Sequence, residues 1–240
     1  MKKPFPILVL LILLSCQSKT ELTGPQLVEK SIAYHDPKNS WKDFQGQWQV
    51  RLQFPNKSER TTNISLDKIG GIFTLEDLRE SGPILRYMDA DTNYHLINKQ
   101  VVVHEDSIKK YGLTEDRTRL MKNYYSYLYG LPMKLKDEGT RINELVEMVN
   151  FQDEDYLRVK VTYEEEVGSD TWYFYFDPQT YAMKLYQFYH EEEKNDGEYI
   201  LLDGEISYRD MRIPKDRSWY TNDSSRLLGI DYLVEIRDLQ

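Results

Sequence analysis

Residues 171–190 read TWYFYFDPQTYAMKLYQFYH, and this stretch carries the strongest structural signal in the chain. Five consecutive positions, 172–176, are aromatic, so a strand there would be apolar on both of its faces. Residues 177–180 have the composition of a turn. The segment 181–190 then predicts the returning arm of a hairpin. The stretch therefore predicts a β-hairpin that is not fully solvated on either side.

Short strand patterns continue through most of the chain. Trp48, Val50, Leu52 and Phe54 alternate with polar residues, and this period of two indicates one buried face and one wet face. Comparable runs lie at 61–67, 72–76, 84–89, 93–97, 100–104, 157–163, 198–207, 208–213 and 229–238. Two further segments, 25–35 and about 115–129, have apolar residues at helical spacing, and Gly130-Leu131-Pro132 ends the second.

This order of elements predicts the fold class. Sequential strands usually pair with their neighbours, and a wide sheet tends to curl because an open edge is a liability. We therefore expect a mainly β (α+β) fold, with a curved antiparallel sheet or half-open β-barrel of about ten strands and about two helices. A helix laid into the mouth of such a sheet leaves a lined cavity.

The N-terminus predicts export. Lys2 and Lys3 precede a ten-residue apolar stretch at 5–14, which is shorter than the roughly 20 residues of a membrane-spanning helix. Leu13-Leu14-Ser15-Cys16 follows, and it resembles the lipobox of bacterial lipoproteins, in which the cysteine becomes lipidated and N-terminal. Acyl chains on one residue anchor a protein firmly to a membrane.

These features divide the chain into three parts. We predict a lipoprotein signal peptide at 1–15, a lipidated Cys16 with a polar tether at 16–24, and a single β domain at 25–240. Gln17 stands where an aspartate would suggest retention in the inner membrane, so we expect the outer membrane, on either its periplasmic or its surface face. The membrane is then a partner through the anchor at Cys16.

Composition excludes several classes of function. The 240 residues include 31 basic and 40 acidic side chains, for a net charge of −9, which argues against nucleic-acid binding. A single cysteine permits neither an intramolecular disulfide nor a cysteine zinc cluster. No P-loop, dinucleotide fingerprint, nucleophile elbow or His-Glu-x-x-His motif occurs. We predict no cofactor.

The aromatic residues are the best candidates for a binding site, because ligand pockets are mostly apolar with a few polar groups. In the aromatic strand one set of rings shares one face and the other set shares the opposite face, and the helix at 115–129 adds two tyrosines. The candidate ligand-binding residues are Trp172, Tyr173, Phe174, Tyr175, Phe176, Tyr124 and Tyr125. We expect an apolar or amphipathic ligand, such as an acyl chain or lipid, bound without catalysis. The same rings could instead form core on both faces.

Two other functions stay open at this point. His35 and Asp36 at a helix end could converge with His190 and Glu191 at a strand end on a divalent metal, as in a metal-assisted hydrolytic enzyme. More simply, His35 caps a helix whose dipole favours it, and His190 is a solvated strand end. A third reading is an interaction module whose acidic surface contacts a protein partner in the envelope.

Several blocks resemble a family of Bacteroidota lipoproteins of unknown function. The blocks are Tyr34-His35-Asp36-Pro37 with Trp41, Tyr129-Gly130-Leu131-Pro132-Met133, residues 170–178, Phe188-Tyr189-His190-Glu191-Glu192 and Asn195-Asp196-Gly197-Glu198-Tyr199. The hairpin, with its Asp-Pro-x-Thr-Tyr turn, also looks like that of the lipoprotein carriers of the LolA/LolB type. This second resemblance implies a half-open barrel capped by helices, whose apolar hollow holds acyl chains. It transfers no functional residue.

Overall fold

The computed structural model describes residues 22–239. The predicted signal peptide and Cys16 lie outside the described residues. Within them, 13 strands form one antiparallel sheet in the order β6-β5-β4-β3-β2-β1-β13-β12-β11-β10-β9-β8-β7. The strands are β1 Gln45–Phe54, β2 Lys57–Asp67, β3 Ile72–Leu78, β4 Ile84–Met88, β5 Asn93–Ile97, β6 Gln100–Val101, β7 Thr140–Phe151, β8 Glu154–Tyr163, β9 Thr171–Phe176, β10 Met183–Tyr189, β11 Glu198–Tyr208, β12 Met211–Thr221 and β13 Leu227–Arg237. The helices are α1 Gly24–His35, α2 Glu105–Tyr111 and α3 Glu115–Gly130.

The sheet consists of two meanders that join where β1 pairs with β13. The strands β1–β6 form one meander and β7–β13 form the other, with Trp48 opposite Ile236 at the junction. The edge strands β6 and β7 are consecutive in sequence but lie at opposite ends of the sheet. The connection between them, which contains α2 and α3, therefore has to cross from one edge of the sheet to the other.

Contacts made by α3 show that the sheet curves around it. The ring of Tyr129 lies 5.2 Å from that of Trp48 on β1, and the ring of Tyr127 lies 5.5 Å from that of Trp172 on β9. These two strands are five positions apart in the sheet, which is roughly 24 Å across a flat sheet at the usual strand spacing. One helix can contact both only if the sheet curls. The predicted curved antiparallel fold is therefore confirmed.

Local sequence explains both long helices. Thr23 caps α1 in a capping box with Gln26, and Thr114 accepts a hydrogen bond from the Arg117 amide at the start of α3. Helix α3 ends at Gly130, where an added Cβ would lie 2.4 Å from the indole ring of Trp41. A glycine is required there because the helix end packs directly on that ring.

The sequence predicted too few strands and misplaced one of them. Strand β7 was not recognised as a separate element, and the count is 13 instead of about ten. The predicted strand at 208–213 is wrong because Arg209 and Asp210 have positive φ values of 46° and 64° and form a turn. Strand β12 starts after this turn and continues to Thr221. The predicted strand at 100–104 stops at Val101, and α2 follows.

The residues buried on the concave face come from both meanders and from the helices. They include Trp48, Phe73, Leu128, Phe174 and Leu233, all of which belong to one hydrophobic cluster.

Within residues 22–239, none of the helices combines the length and apolar character needed to span a bilayer.

Candidate functional site

Polar contacts fasten α2 and α3 to the wall formed by β3–β5. His95 Nε2 and Thr118 Oγ1 are hydrogen-bonded at 2.9 Å, and Arg86 Nη2 donates to the carbonyl of Tyr111 at 3.0 Å. Lys122 Nζ donates to the carbonyl of Gly71 at 3.2 Å. These contacts hold the N-terminal half of α3 to one side of the curved sheet, so space remains on its other side.

That space is a cavity of about 1000 Å³ between α3 and the wall formed by β8–β12, and we call it the hollow. Helix α3 contributes apolar and aromatic side chains to it, and each strand of the wall contributes at least one side chain. The rings from the wall are Tyr163, Trp172, Phe188 and Trp219, and the apolar residues from α3 are Leu120, Met121, Tyr124, Tyr125, Tyr127 and Leu128. The hollow therefore has the largely apolar lining that ligand sites share.

Two side chains of α3 show that the hollow is open. Tyr124 is 44% exposed and Leu120 is 55% exposed. Burial nevertheless raises the pKa of Tyr124 well above its usual value. The exposed part of this ring lines the hollow. The ring of Tyr124 also stacks on that of Trp219, with centroids 6.4 Å apart.

Toward the C-terminal end of α3, a hydrogen bond joins the helix to the strand wall. The hydroxyl groups of Tyr127 and Tyr163 are hydrogen-bonded, which connects α3 to β8. Burial raises the pKa of Tyr163 to about 12, so this pair is neutral at physiological pH. Lys134, Asp137 and Glu138 lie just beyond the end of α3 and also line the hollow.

Two buried groups of opposite charge, Arg217 and Asp231, lie in the wall beneath α3. Arg217, which is 1% exposed, donates to the carbonyls of Pro214 at 2.9 Å and Leu128 at 3.2 Å. Across the strands it lies opposite Asp231, whose Oδ2 accepts a hydrogen bond from the Trp219 indole at 3.1 Å. Burial raises the pKa of Asp231 to about 6, although Arg217 opposes that shift. These contacts fix the orientation of Trp219 and the end of α3.

The structure divides the seven predicted ligand-binding residues into three groups. Trp172, Tyr124 and Tyr125 line the hollow. Phe174 and Phe176 are fully buried in the core. The hydroxyls of the remaining two tyrosines, which lie on the opposite face of β9, bond to polar side chains, with Tyr173 donating to Glu192 and Tyr175 to Gln187.

Several residues of the hollow were missed in the sequence. Trp219 lies beyond the end of the strand predicted at 208–213. It is recognisable as a strand residue only if β12 is known to continue to Thr221. Tyr127 is not among the predicted ligand-binding residues, although its ring lies 5.5 Å from that of Trp172. Tyr163 and Phe188 belong to strands that were predicted, but which face would line a hollow could not be assigned.

The four residues of the metal hypothesis have other partners. His35 is fully buried, with Nδ1 bonded to the carbonyl of Arg212 at 2.6 Å and Nε2 accepting from the amide of Met183 at 2.9 Å. No ring nitrogen of His35 is therefore free to bind a metal. Burial also lowers its pKa, which favours the neutral ring. Asp36 accepts hydrogen bonds from the amides of Ser40 and Trp41.

The other two residues of that hypothesis are exposed. His190 Nδ1 lies 2.8 Å from Asp170 Oδ1, and this hydrogen bond raises the pKa of the imidazole. Glu191 pairs with Lys194. In the part of the chain that the structure describes, no three or more histidine, cysteine, aspartate or glutamate side chains are grouped to hold a metal ion.

Comparisons with known proteins extend these observations. A model described as "Family of unknown function (DUF6503)" matches residues 2–236. None of the curated proteins matches the sequence. Two solved structures share the fold, each with a TM-score of 0.53 at 12% identity. One is a LolA superfamily protein from Nitrosomonas europaea, with 91% of this chain and 95% of that chain covered. The other is a putative outer membrane lipoprotein-sorting protein domain from Vibrio parahaemolyticus, with coverage of 90% and 92%.

At 12% identity, these two structures establish the fold alone. The predicted LolA-like class is confirmed by them, with the strand count corrected as described above.

Proposed function

This chain belongs to DUF6503, a family of unknown function, and we propose that it binds the apolar part of an amphipathic ligand, such as an acyl chain or lipid, in the hollow beside α3. The observation that carries this proposal is the partial exposure of Tyr124 and Leu120 toward an open cavity of about 1000 Å³. The role is binding without catalysis.

The physical basis is the hydrophobic effect. A ligand chain that covers these side chains removes apolar surface from water, and each Å² removed contributes roughly 25 cal/mol. The volume is at the upper end of the roughly 300–1,000 Å³ that is usual for ligand sites, so an extended chain has room. The aromatic side chains Trp172 and Trp219 on the wall are large, rigid contact surfaces for such a chain.

The envelope location is part of the same proposal. One protein of similar fold is described as an outer membrane lipoprotein-sorting domain, and the lipobox at Cys16 predicts a lipid anchor. Leu22, the first residue that the structure describes, follows Cys16 by six positions. A short tether at 16–24 would therefore hold the domain of 25–240 close to a membrane. The signal peptide at 1–15 completes this assignment.

Filling the hollow tests the proposal. Ser126 lines the hollow and is small, so Ser126→Phe places a ring where the ligand chain would lie. We expect about tenfold weaker binding of decanol, equivalent to about 1.4 kcal/mol. The fluorescence of Trp172 and Trp219, which line the hollow, reports the titration.

Arg119→Phe is the matched control because position 119 is on the exposed face of α3 and does not line the hollow. It should bind decanol with the affinity of the unmodified chain. Equal affinity of the Ser126→Phe variant and the control would contradict the placement of the ligand.

A further inference from the structure

Arginines cluster at one end of the hollow, beside the N-terminal end of α3. Asp77 on β3 lies 3.2 Å from Arg86, 3.5 Å from Arg79 and 3.8 Å from Arg60, so one carboxylate faces three guanidinium groups. This local excess of positive charge contrasts with the net charge of −9 of the whole chain. An uncompensated cluster of this kind attracts an anion.

Arg60 is the member of the cluster that reaches the hollow. It lines the hollow and makes the longest of the three contacts with Asp77. Its Nε is buried and has no hydrogen-bond partner within the described part of the chain, whereas 38% of the side chain as a whole is exposed. Asp231, whose carboxyl interacts electrostatically with Arg60, accepts a hydrogen bond from the Trp219 indole. The exposed part of the Arg60 side chain is therefore available to a ligand in the hollow.

Arg117 adds a second cation at the same end. It lies in the first turn of α3 and lines the hollow, and no ion pair involves it among residues 22–239. Burial lowers the pKa of Arg86, and the charges of Arg79 and Arg117 lower it further. Arg117 thus belongs to the same region of positive potential as the three arginines around Asp77.

Charge at the opposite end of the hollow has the other sign. Asp137 and Glu138 line that end, and the only lysine lining it among the described residues, Lys134, is paired with Asp137. Helix α3 runs between the two ends, and the rise from Arg117 to Gly130 is roughly 20 Å. The two arginines that line the hollow therefore lie toward the N-terminal end of α3. Its four lining carboxyl groups lie elsewhere, two beyond the C-terminal end of α3 (Asp137 and Glu138) and two on the strand wall (Asp170 and Glu198).

We infer that Arg60 and Arg117 bind the anionic head of an amphiphile, a carboxylate or a phosphate, whose apolar chain lies along α3 toward Tyr127 and Trp172. This inference rests on the proposed function and adds the class and the orientation of the ligand. Arginine suits this role because its planar fork matches both oxyanions, and its charge-assisted hydrogen bonds are roughly twice as strong as neutral ones.

The test compares two probes with the same chain and different heads. Decanoate and decanol are titrated against the purified full chain, and the ratio of their affinities isolates the contribution of the charged head. Arg60→Gln and Arg117→Gln should each lower the preference for decanoate over decanol about tenfold. Decyl phosphate, titrated in parallel, should show the same loss of preference.

Arg119→Gln is the control, because Arg119 is two residues from Arg117 on α3 but pairs with Glu115 and does not line the hollow. It should leave the ratio unchanged. An unchanged ratio of decanoate to decanol affinity in Arg60→Gln and in Arg117→Gln would overturn the inference. Decanol binding would then still support the proposed function. Failure of the unmodified chain to bind either probe would overturn both.

A last experiment distinguishes an amphiphile from a free anion as the ligand of the two arginines. Acetate and inorganic phosphate carry the head chemistry without a chain, and we expect neither to displace decanoate at concentrations at which decanoate saturates the protein. Displacement at equal concentration would mean that the arginines form a site for free anions, and it would overturn the assignment of an amphiphile.

Discussion

Replacing Arg217 by methionine should lower the free energy of unfolding by about 4 kcal/mol, because the buried carboxyl of Asp231 loses the opposite charge that partly offsets its burial. Arg217 is 1% exposed, and Asp231, opposite it in the register of β12 and β13, is 7% exposed. Methionine also leaves the carbonyls of Pro214 and Leu128 without their donors. Urea denaturation measures the loss.

The loss should be larger at about pH 8 than at about pH 5. Burial already raises the pKa of Asp231 to about 6, and removal of Arg217 raises it further. A carboxyl whose folded-state pKa exceeds its unfolded value stabilises the fold at low pH, and this contribution is lost as the pH rises through the folded-state pKa. The variant should therefore recover part of its stability on acidification.

Two variants provide controls for this prediction. Arg141→Met, at an exposed position on β7, should change the free energy of unfolding by less than about 1 kcal/mol. Adding Asp231→Asn to Arg217→Met should restore part of the loss, because the uncompensated charge is then gone. A loss that is equal at both pH values and unaffected by the second substitution would show that Asp231 is not the cause.

His35→Leu should cost about 3 kcal/mol in the free energy of unfolding, since it leaves a buried carbonyl and a buried amide unpaired at roughly 1–3 kcal/mol each. The imidazole connects the carbonyl of Arg212 on β12 to the amide of Met183 on β10, and thereby fastens α1 to two strands. Leucine fills a similar volume but makes neither hydrogen bond. Thermal or urea denaturation measures the change.

We also expect His35 to make the free energy of unfolding depend on pH. Burial lowers the pKa of His35, so the unfolded chain binds a proton more readily than the folded one. The contribution of the neutral His35 ring to stability is fully present above the unfolded-state pKa of about 6.5. It is lost as the pH falls toward the folded-state pKa. The stability of His35→Leu should depend less on pH in this range.

His190→Leu is the matched control, because His190 is exposed just after β10 and its imidazole bonds to the Asp170 carboxylate at the surface. We expect a change within about 1 kcal/mol. Losses of equal size for the two histidines would contradict the bridging role of His35.

The sequence predicted the fold through local patterns that are strong in this chain. The aromatic run of β9, the turn after it and the returning β10 form the expected hairpin, with Phe174 opposite Tyr186. Strand β1 shows the predicted alternation, with Trp48, Val50 and Leu52 buried. Helix α3 ends one residue beyond the predicted limit. Each of these features depends on residues that are close together in sequence.

The binding surface depends on contacts that a local pattern does not contain. A strand with two aromatic faces does not reveal which face curves inward. The sequence therefore predicts Tyr173 and Tyr175 as ligand-binding residues together with Trp172, although they lie on the opposite face. Trp219 reaches the hollow only because β12 extends to Thr221. The arginines around Asp77 come from β2, β4 and the residue that follows β3, and their convergence follows from the register of β2, β3 and β4.

Native mass spectrometry of the full chain purified from cells, before and after extraction with organic solvent, tests most directly whether the hollow holds a ligand. Our account predicts a bound species with the mass of a fatty acid or lipid, lost on extraction and replaced when decanoate is added. Ser126→Phe should carry less of it. Protein that is empty in every preparation and takes up neither decanoate nor decanol would contradict the account.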